Sequence, residues 1–111
     1  MASAPLLVIT TLATREQALA LARDLVERRL AACAQITAID SVYRWQGAVE
    51  QDSEFRLLLK THAEGYAALE AAIRAQHPYE LPAIHAIATE QAYAPYAEWV
   101  EASTRPEPGA D

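Results

Sequence analysis

Four side chains suited to ligating transition metals, Cys33, His62, His77 and His85, lie scattered along the chain rather than in a ligand pattern. A selective site for a soft divalent ion needs several such groups, so one thiol or one imidazole alone does not make it. His77 has the richest setting. In His77-Pro78-Tyr79-Glu80-Leu81-Pro82 an imidazole, a phenol and a carboxylate share one turn. Two readings of His77 stand side by side: a ligand for a metal or an anion, or a histidine resting at the negative end of a helix dipole. Cys33 reads either as a thiolate ligand or redox sensor, or as a small buried side chain between a helix and a strand. His62 at a helix start and His85 in a strand read as structural or exposed.

Other chemistry is narrower still. Glu50 and Glu54 fall on one face of a strand but about 13 Å apart, too far for an acid–base dyad. They read instead as partners for Arg44, Arg56 or another subunit. Lys60 stands at a strand end beside a helix N-terminus, whose free N–H groups attract anions. It is an anion contact or a lysine that lays its stem on apolar surface. Tyr93, Tyr96 and Trp99 either stack on a ligand or build core and interface. With three glycines in all, no phosphate loop or dinucleotide turn is present, and there is no His-Glu-x-x-His. No catalytic residue is assigned, and the chain reads as a non-enzyme.

The elements that must position these groups are organised around residues 35–61. This stretch is rich in Ile, Val, Thr, Tyr, Phe and Leu, and Gln46-Gly47 is a turn signal at its centre. Centring the turn there sets Ile36 opposite Leu57 and Ala38 opposite Phe55. The arm 35–45 would run about 36 Å at roughly 3.3 Å per residue. A domain of about 100 residues has a radius of gyration near 13 Å, so the tip with Tyr43 and Trp45 must overhang and needs a partner chain. Before the hairpin, Leu6 to Thr11 reads as a strand covered on both faces. Thr14 and Gln17 form a capping box for a helix to about Arg29, with Ala18, Leu21, Ala22 and Leu25 on its apolar stripe. After the hairpin, Thr61 and Glu64 suggest a second capping box and a helix from about Ala63 to Ala75. Pro78 and Pro82 stop it. Ala83 to Thr89 is a fourth strand, and Ala94-Pro95 opens a last helix. The order β-α-β-β-α-β plus a C-terminal helix predicts an α+β, ferredoxin-like sheet with helices on one face. Residues 1–5 and 105–111 read as tails around one domain, 6–104.

Composition narrows the partners. The net charge is −6 and the pI about 5.0, which argues against a nucleic-acid backbone. The single cysteine excludes an internal disulfide and a multi-cysteine zinc site. No apolar run nears the roughly 20 residues of a membrane span, and the first residues lack a basic leader region. The cytoplasm is the expected location.

Several of these motifs together resemble the CutA divalent-cation-tolerance family. They are Leu30-Ala31-Ala32-Cys33, Tyr43-x-Trp45-x-Gly47, Glu54, Leu59-Lys60-Thr61, His77-Pro78-Tyr79-Glu80-x-Pro82 and Tyr96-x-x-Trp99. The resemblance runs from Leu6 to Thr104. It implies a ferredoxin-like homotrimer, not an enzyme, with a role linked to copper and other divalent cations. It places metal or ligand binding at subunit clefts lined by Lys60, His77, Tyr79, Tyr43 and Trp45. The alternative it implies is a PII-like regulatory module that binds a small anionic ligand in the same clefts. Three positions depart from the family pattern: Ala83 and Gln76 stand where glutamate and histidine occur, and Thr10-Thr11 where the first strand can carry a cysteine. Of the expected ligands only His77 remains, so copper is expected to bind weakly.

Overall fold

The computed structural model describes residues 2–106; Met1 and the greater part of the expected tail 105–111 lie outside the described residues. Four strands and three helices follow the predicted order. They are β1 (Leu6–Leu12), α1 (Arg15–Glu27), β2 (Cys33–Trp45), β3 (Ala48–Thr61), α2 (Tyr66–Gln76), β4 (Ile84–Ala88) and α3 (Ala94–Ser103). The sheet order is β2-β3-β1-β4, and every neighbouring pair is antiparallel. The result is an α+β chain with a four-stranded antiparallel sheet.

Local chemistry accounts for most boundaries. Thr14 Oγ1 accepts the Gln17 N–H at 3.1 Å, and Gln17 Oε1 accepts the Thr14 N–H at 3.3 Å, the reciprocal pair read from the sequence. The far end of α1 closes through Arg29, whose φ of 61° is left-handed. Two tight backbone bonds wrap this end, Arg29 N to Val26 O and Leu30 N to Leu25 O, both 3.0 Å. The Arg29 guanidinium holds the strained residue in place by donating to the carbonyls of Ala102 and Arg105 at 2.6 Å each. Arg105, read as tail, is therefore docked against the body. The hairpin turns on Gln46 (φ 50°) and Gly47 (φ 81°). Two consecutive positive φ values are what a two-residue type I′ turn requires. The register matches expectation, with Ile36 opposite Leu57 and Ala38 opposite Phe55.

Strand periodicity divides the sheet into two faces. Val8, Thr10, Leu12, Leu57, Leu59 and Thr61 point to one side and are buried beneath α1 and α2. Leu7, Ile9, Leu58 and Lys60 point to the other and are half-buried. The expectation that all helices share one face is corrected here: α3 lies on this second side, where Tyr96 meets Lys60 and Cys33.

The second capping box is also corrected. A 3₁₀ turn, Ala63–Gly65, precedes α2, and neither helix start has a side-chain cap. Thr61 stays in β3, paired with Leu6. The period of two points its side chain inward with Leu57 and Leu59, where its hydroxyl caps no helix N–H.

Beyond Leu12↔Phe55 the hairpin loses its third strand. Seven rungs, from Ile39↔Glu54 to Trp45↔Ala48, pair only with each other. The overhang stretches the molecule to 49 Å along its longest axis, with a radius of gyration of 15.0 Å.

Thr10 Oγ1 and Thr61 Oγ1 are fully buried and have no hydrogen-bond partner among the described residues. A buried orphan hydroxyl costs free energy that a methyl group of the same shape does not. Thr61→Val should therefore raise stability by about 1 kcal/mol, read as a higher melting temperature. A fall would mean that Thr61 caps the helix after all.

Candidate functional site

A cleft of about 740 Å³ opens where the overhanging arm faces the connection from α2 to β4. The arm contributes Asp40, Tyr43, Arg44, Trp45 and Glu54, and the connection contributes Tyr79, Glu80, Leu81 and Ala83. The connection owes its position to His77. As the residue before Pro78 it takes an extended backbone (φ −73°, ψ 131°) that ends the helix. Its ring then spans two elements. Nε2 lies 2.8 Å from the Thr11 carbonyl, which only accepts, so Nε2 carries the proton. Nδ1 accepts the Tyr79 N–H at 3.2 Å. The ring packs on Tyr79 with centroids 4.7 Å apart, and the Tyr79 hydroxyl donates to Glu54 Oε2 at 2.7 Å. A continuous chain, Thr11–His77–Tyr79–Glu54, thus joins the end of β1 to the root of the arm.

Electrostatics follow from these contacts. Burial pushes the His77 imidazole below its usual range, against smaller opposing effects of the Thr11 carbonyl and Glu54. Burial and the bond to Glu54 push the Tyr79 phenol well above its ordinary value. The Tyr43 hydroxyl donates to Asp52 at 2.5 Å, which with desolvation pushes its pKa up to about 12. The imidazole is neutral near pH 7, and both phenols keep their protons.

Of the residues singled out in the sequence, Tyr43, Trp45 and Tyr79 line one cleft, and His77 stands behind Tyr79. Lys60 is elsewhere. Its Nζ sits 5.4 Å from the centroid of the Tyr96 ring, on the face under α3. Cys33, the cross-strand neighbour of Lys60, is half-buried rather than sealed, with Sγ 3.8 Å from the Tyr96 hydroxyl. Glu54 binds a phenol rather than Arg44 or Arg56. No spacing in the sequence announces that bond, because it closes over 25 positions through a loop. Tyr96 and Trp99 stack on each other at 5.7 Å, and Tyr93 is exposed.

Among the described residues no group of three or more His, Cys, Asp or Glu side chains is placed to hold a metal ion. Thr10 is sealed in the core, Gln76 donates to Asp24 at 2.8 Å, and Ala83 lines the cleft without a ligating atom. Both ring nitrogens of His77 are already engaged.

A sequence model of the CutA1 divalent ion tolerance protein matches residues 6–103. The chain belongs to the CutA1 divalent ion tolerance family. A relative from Thermus thermophilus, named divalent-cation tolerance protein CutA, is 39% identical over 98 residues, covering 87% of this chain and 95% of that one. The solved CutA of Synechococcus elongatus superposes with a TM-score of 0.88 at 38% identity, covering 95% of each chain. CutA of Archaeoglobus fulgidus, described as a periplasmic divalent cation tolerance protein, gives 0.89 at 31% identity over 91% of this chain and 99% of that one. The Thermus and Archaeoglobus proteins are named for divalent-cation tolerance, not for a catalysed reaction. Among the described residues of this CutA1 chain, no helix is long and apolar enough to cross a membrane.

The neutral histidines set a pH dependence. His77 is held below 6.5 chiefly by burial, as is His62, which Arg105 lowers further and whose Nδ1 bonds Thr104 Oγ1 at 2.7 Å. Below pH 6.5 the unfolded chain binds more protons than the folded one, so stability present above that pH is lost on acidification. The melting temperature should fall between pH 7 and pH 5, and His77→Gln should flatten the slope. An unchanged slope would place the linkage elsewhere.

Proposed function

We propose that this CutA1 chain acts as a homotrimeric, non-enzymatic divalent-cation tolerance protein built on a ferredoxin-like subunit, with its ligand site in the cleft beneath the hairpin. The strand order β2-β3-β1-β4 with two β-α-β connections supports the subunit reading. The observation that carries the assembly is the unsupported arm. Its seven outer rungs have no third strand, and Val42 and Val49 on it are 67% and 65% exposed. A two-stranded ribbon is marginal alone and needs packing from elsewhere. Closed symmetry supplies each arm with a neighbour, and three is the number the family resemblance implies. We place the protein in the cytoplasm as part of this reading.

The PII-like alternative calls for an anion in the cleft. Arg44 favours it, but Lys60, its best sequence candidate, stands on Tyr96 instead.

Light scattering after gel filtration should give three times the 12.1 kDa chain mass. Trp45→Ala, which removes the aromatic at the arm's end, should lower the melting temperature and make it concentration-dependent. A monomer at micromolar concentration overturns the assembly.

Copper(II) should bind weakly, since a ligand bond at His77 Nδ1 displaces the Tyr79 N–H. Titration calorimetry should show a further loss in His77→Ala. A tight stoichiometric site indifferent to that change would put the ligands elsewhere.

A further inference from the structure

We propose that the cleft takes a small organic cation, an alkylammonium whose charge meets carboxylates and ring faces while its carbon body lies on apolar side chains. The inference rests on the cleft being the ligand site, as proposed above, and it names the class of ligand.

Size comes first. At about 740 Å³ the cleft falls in the range of roughly 300–1,000 Å³ typical of small-molecule sites. A bare divalent ion fills little of that volume, and no three-ligand set is present among the described residues to hold one.

Charge comes second. Asp40, Glu54 and Glu80 line the cleft against one guanidinium, Arg44. An anion would have to approach three carboxylates; a cation would meet them as partners.

The third observation is the direction of the hydroxyl hydrogens. A phenol in a binding site ordinarily offers a donor, but here both phenols have spent theirs. Tyr79 donates to Glu54 and Tyr43 to Asp52. Burial and the bond to Glu54 hold Tyr79 protonated, and the bond to Asp52 does so for Tyr43, so each presents a lone pair and an electron-rich ring rather than an O–H. The donors left in the wall are Arg44, the Trp45 indole N–H and the hydroxyls of Thr11 and Ser41, while its three carboxylates and its π faces favour a ligand that brings its own donors and its own positive charge. A protonated amine does both. Ammonium N–H groups suit Glu54 and Glu80, and the rings of Tyr79 and Trp45 suit the charge as cation–π partners. Leu81 and Ala83 give the carbon body an apolar surface.

The test uses full-length protein and two isosteric probes, cyclohexylammonium and cyclohexanol. Trp99, 47% exposed, is first replaced by Phe so that Trp45 alone reports by fluorescence. Cyclohexylammonium should change Trp45 emission saturably. Cyclohexanol should bind about tenfold more weakly or less, the loss expected for one cation–π contact with a charge-assisted hydrogen bond. Glu80→Gln, at an exposed position, should weaken cyclohexylammonium several-fold. Glu54→Gln should do the same, and Tyr79→Phe, which keeps the ring, should do so less than Tyr79→Ala. Equal binding of the two probes would reduce the cleft to an apolar crevice and overturn the proposal. So would tight binding of inorganic phosphate in place of the amine. A protein that elutes at three times its chain mass and binds copper(II), yet ignores cyclohexylammonium, overturns this inference alone. A protein of single-chain mass that binds the amine overturns the trimer instead.

Discussion

The pairing of β1 with the inner half of β3, Leu6↔Thr61 through Leu12↔Phe55, is the constraint on which everything else in the molecule depends. It buries Val8, Leu12, Leu57 and Leu59 against the two helices. It also fixes where the sheet ends and the arm begins, because β1 stops at Leu12 while β3 and β2 run on. The core and the overhang are thus two results of one difference in strand length. The inner rungs are stabilised by burial, at roughly 25 cal/mol per Å² of apolar surface removed from water. The outer rungs have their backbone bonds but little of that burial.

The cleft is assembled at this boundary. Thr11, next to the last residue of β1, lends its carbonyl to His77. Glu54, the first residue of β3 beyond the paired section, receives the Tyr79 phenol. The α2–β4 connection is therefore bonded to the last but one supported rung and to the first unsupported one. Its prolines prevent helix, and the imidazole supplies the bonds that a helix would otherwise have made. A half-buried, neutral histidine in such a place is a strut. The same engagement of both nitrogens explains why the residue most suggestive of metal in the sequence is poorly prepared to ligate one.

Much of this was legible in the residues. Alternation and the Gln46-Gly47 turn gave the hairpin register, because period two leaves little freedom once a turn is fixed. Thr14 and Gln17 announced α1 through a purely local bond. What escaped was set by which face a strand residue takes. Thr61 has the composition of a cap, but the same alternation that places Leu57 and Leu59 inward carries it inward too. Lys60, one residue away, points to the opposite face and meets Tyr96 instead of the cleft. Cys33 shares that face and is only partly covered. Glu54–Tyr79 depends on a loop path that propensities do not encode. The family resemblance supplied what local rules could not, the grouping of Tyr43, Trp45 and Tyr79 at one place.

The two-residue turn at Gln46-Gly47 has a consequence for how such an arm varies in length. Gly47 occupies a left-handed backbone position with open space around it, so the requirement there is conformational and not steric. The turn can therefore cap the ladder at any rung, provided that the sequence supplies it. Removing one residue from each strand keeps the pairing but turns every later side chain to the opposite face, carrying Tyr43 and Trp45 to the side that Asp40 and Arg44 now take. Removing two from each strand restores the facing. The reach of the arm is thus quantised in steps of about 7 Å, and between steps its aromatic tip faces the other side of the ribbon.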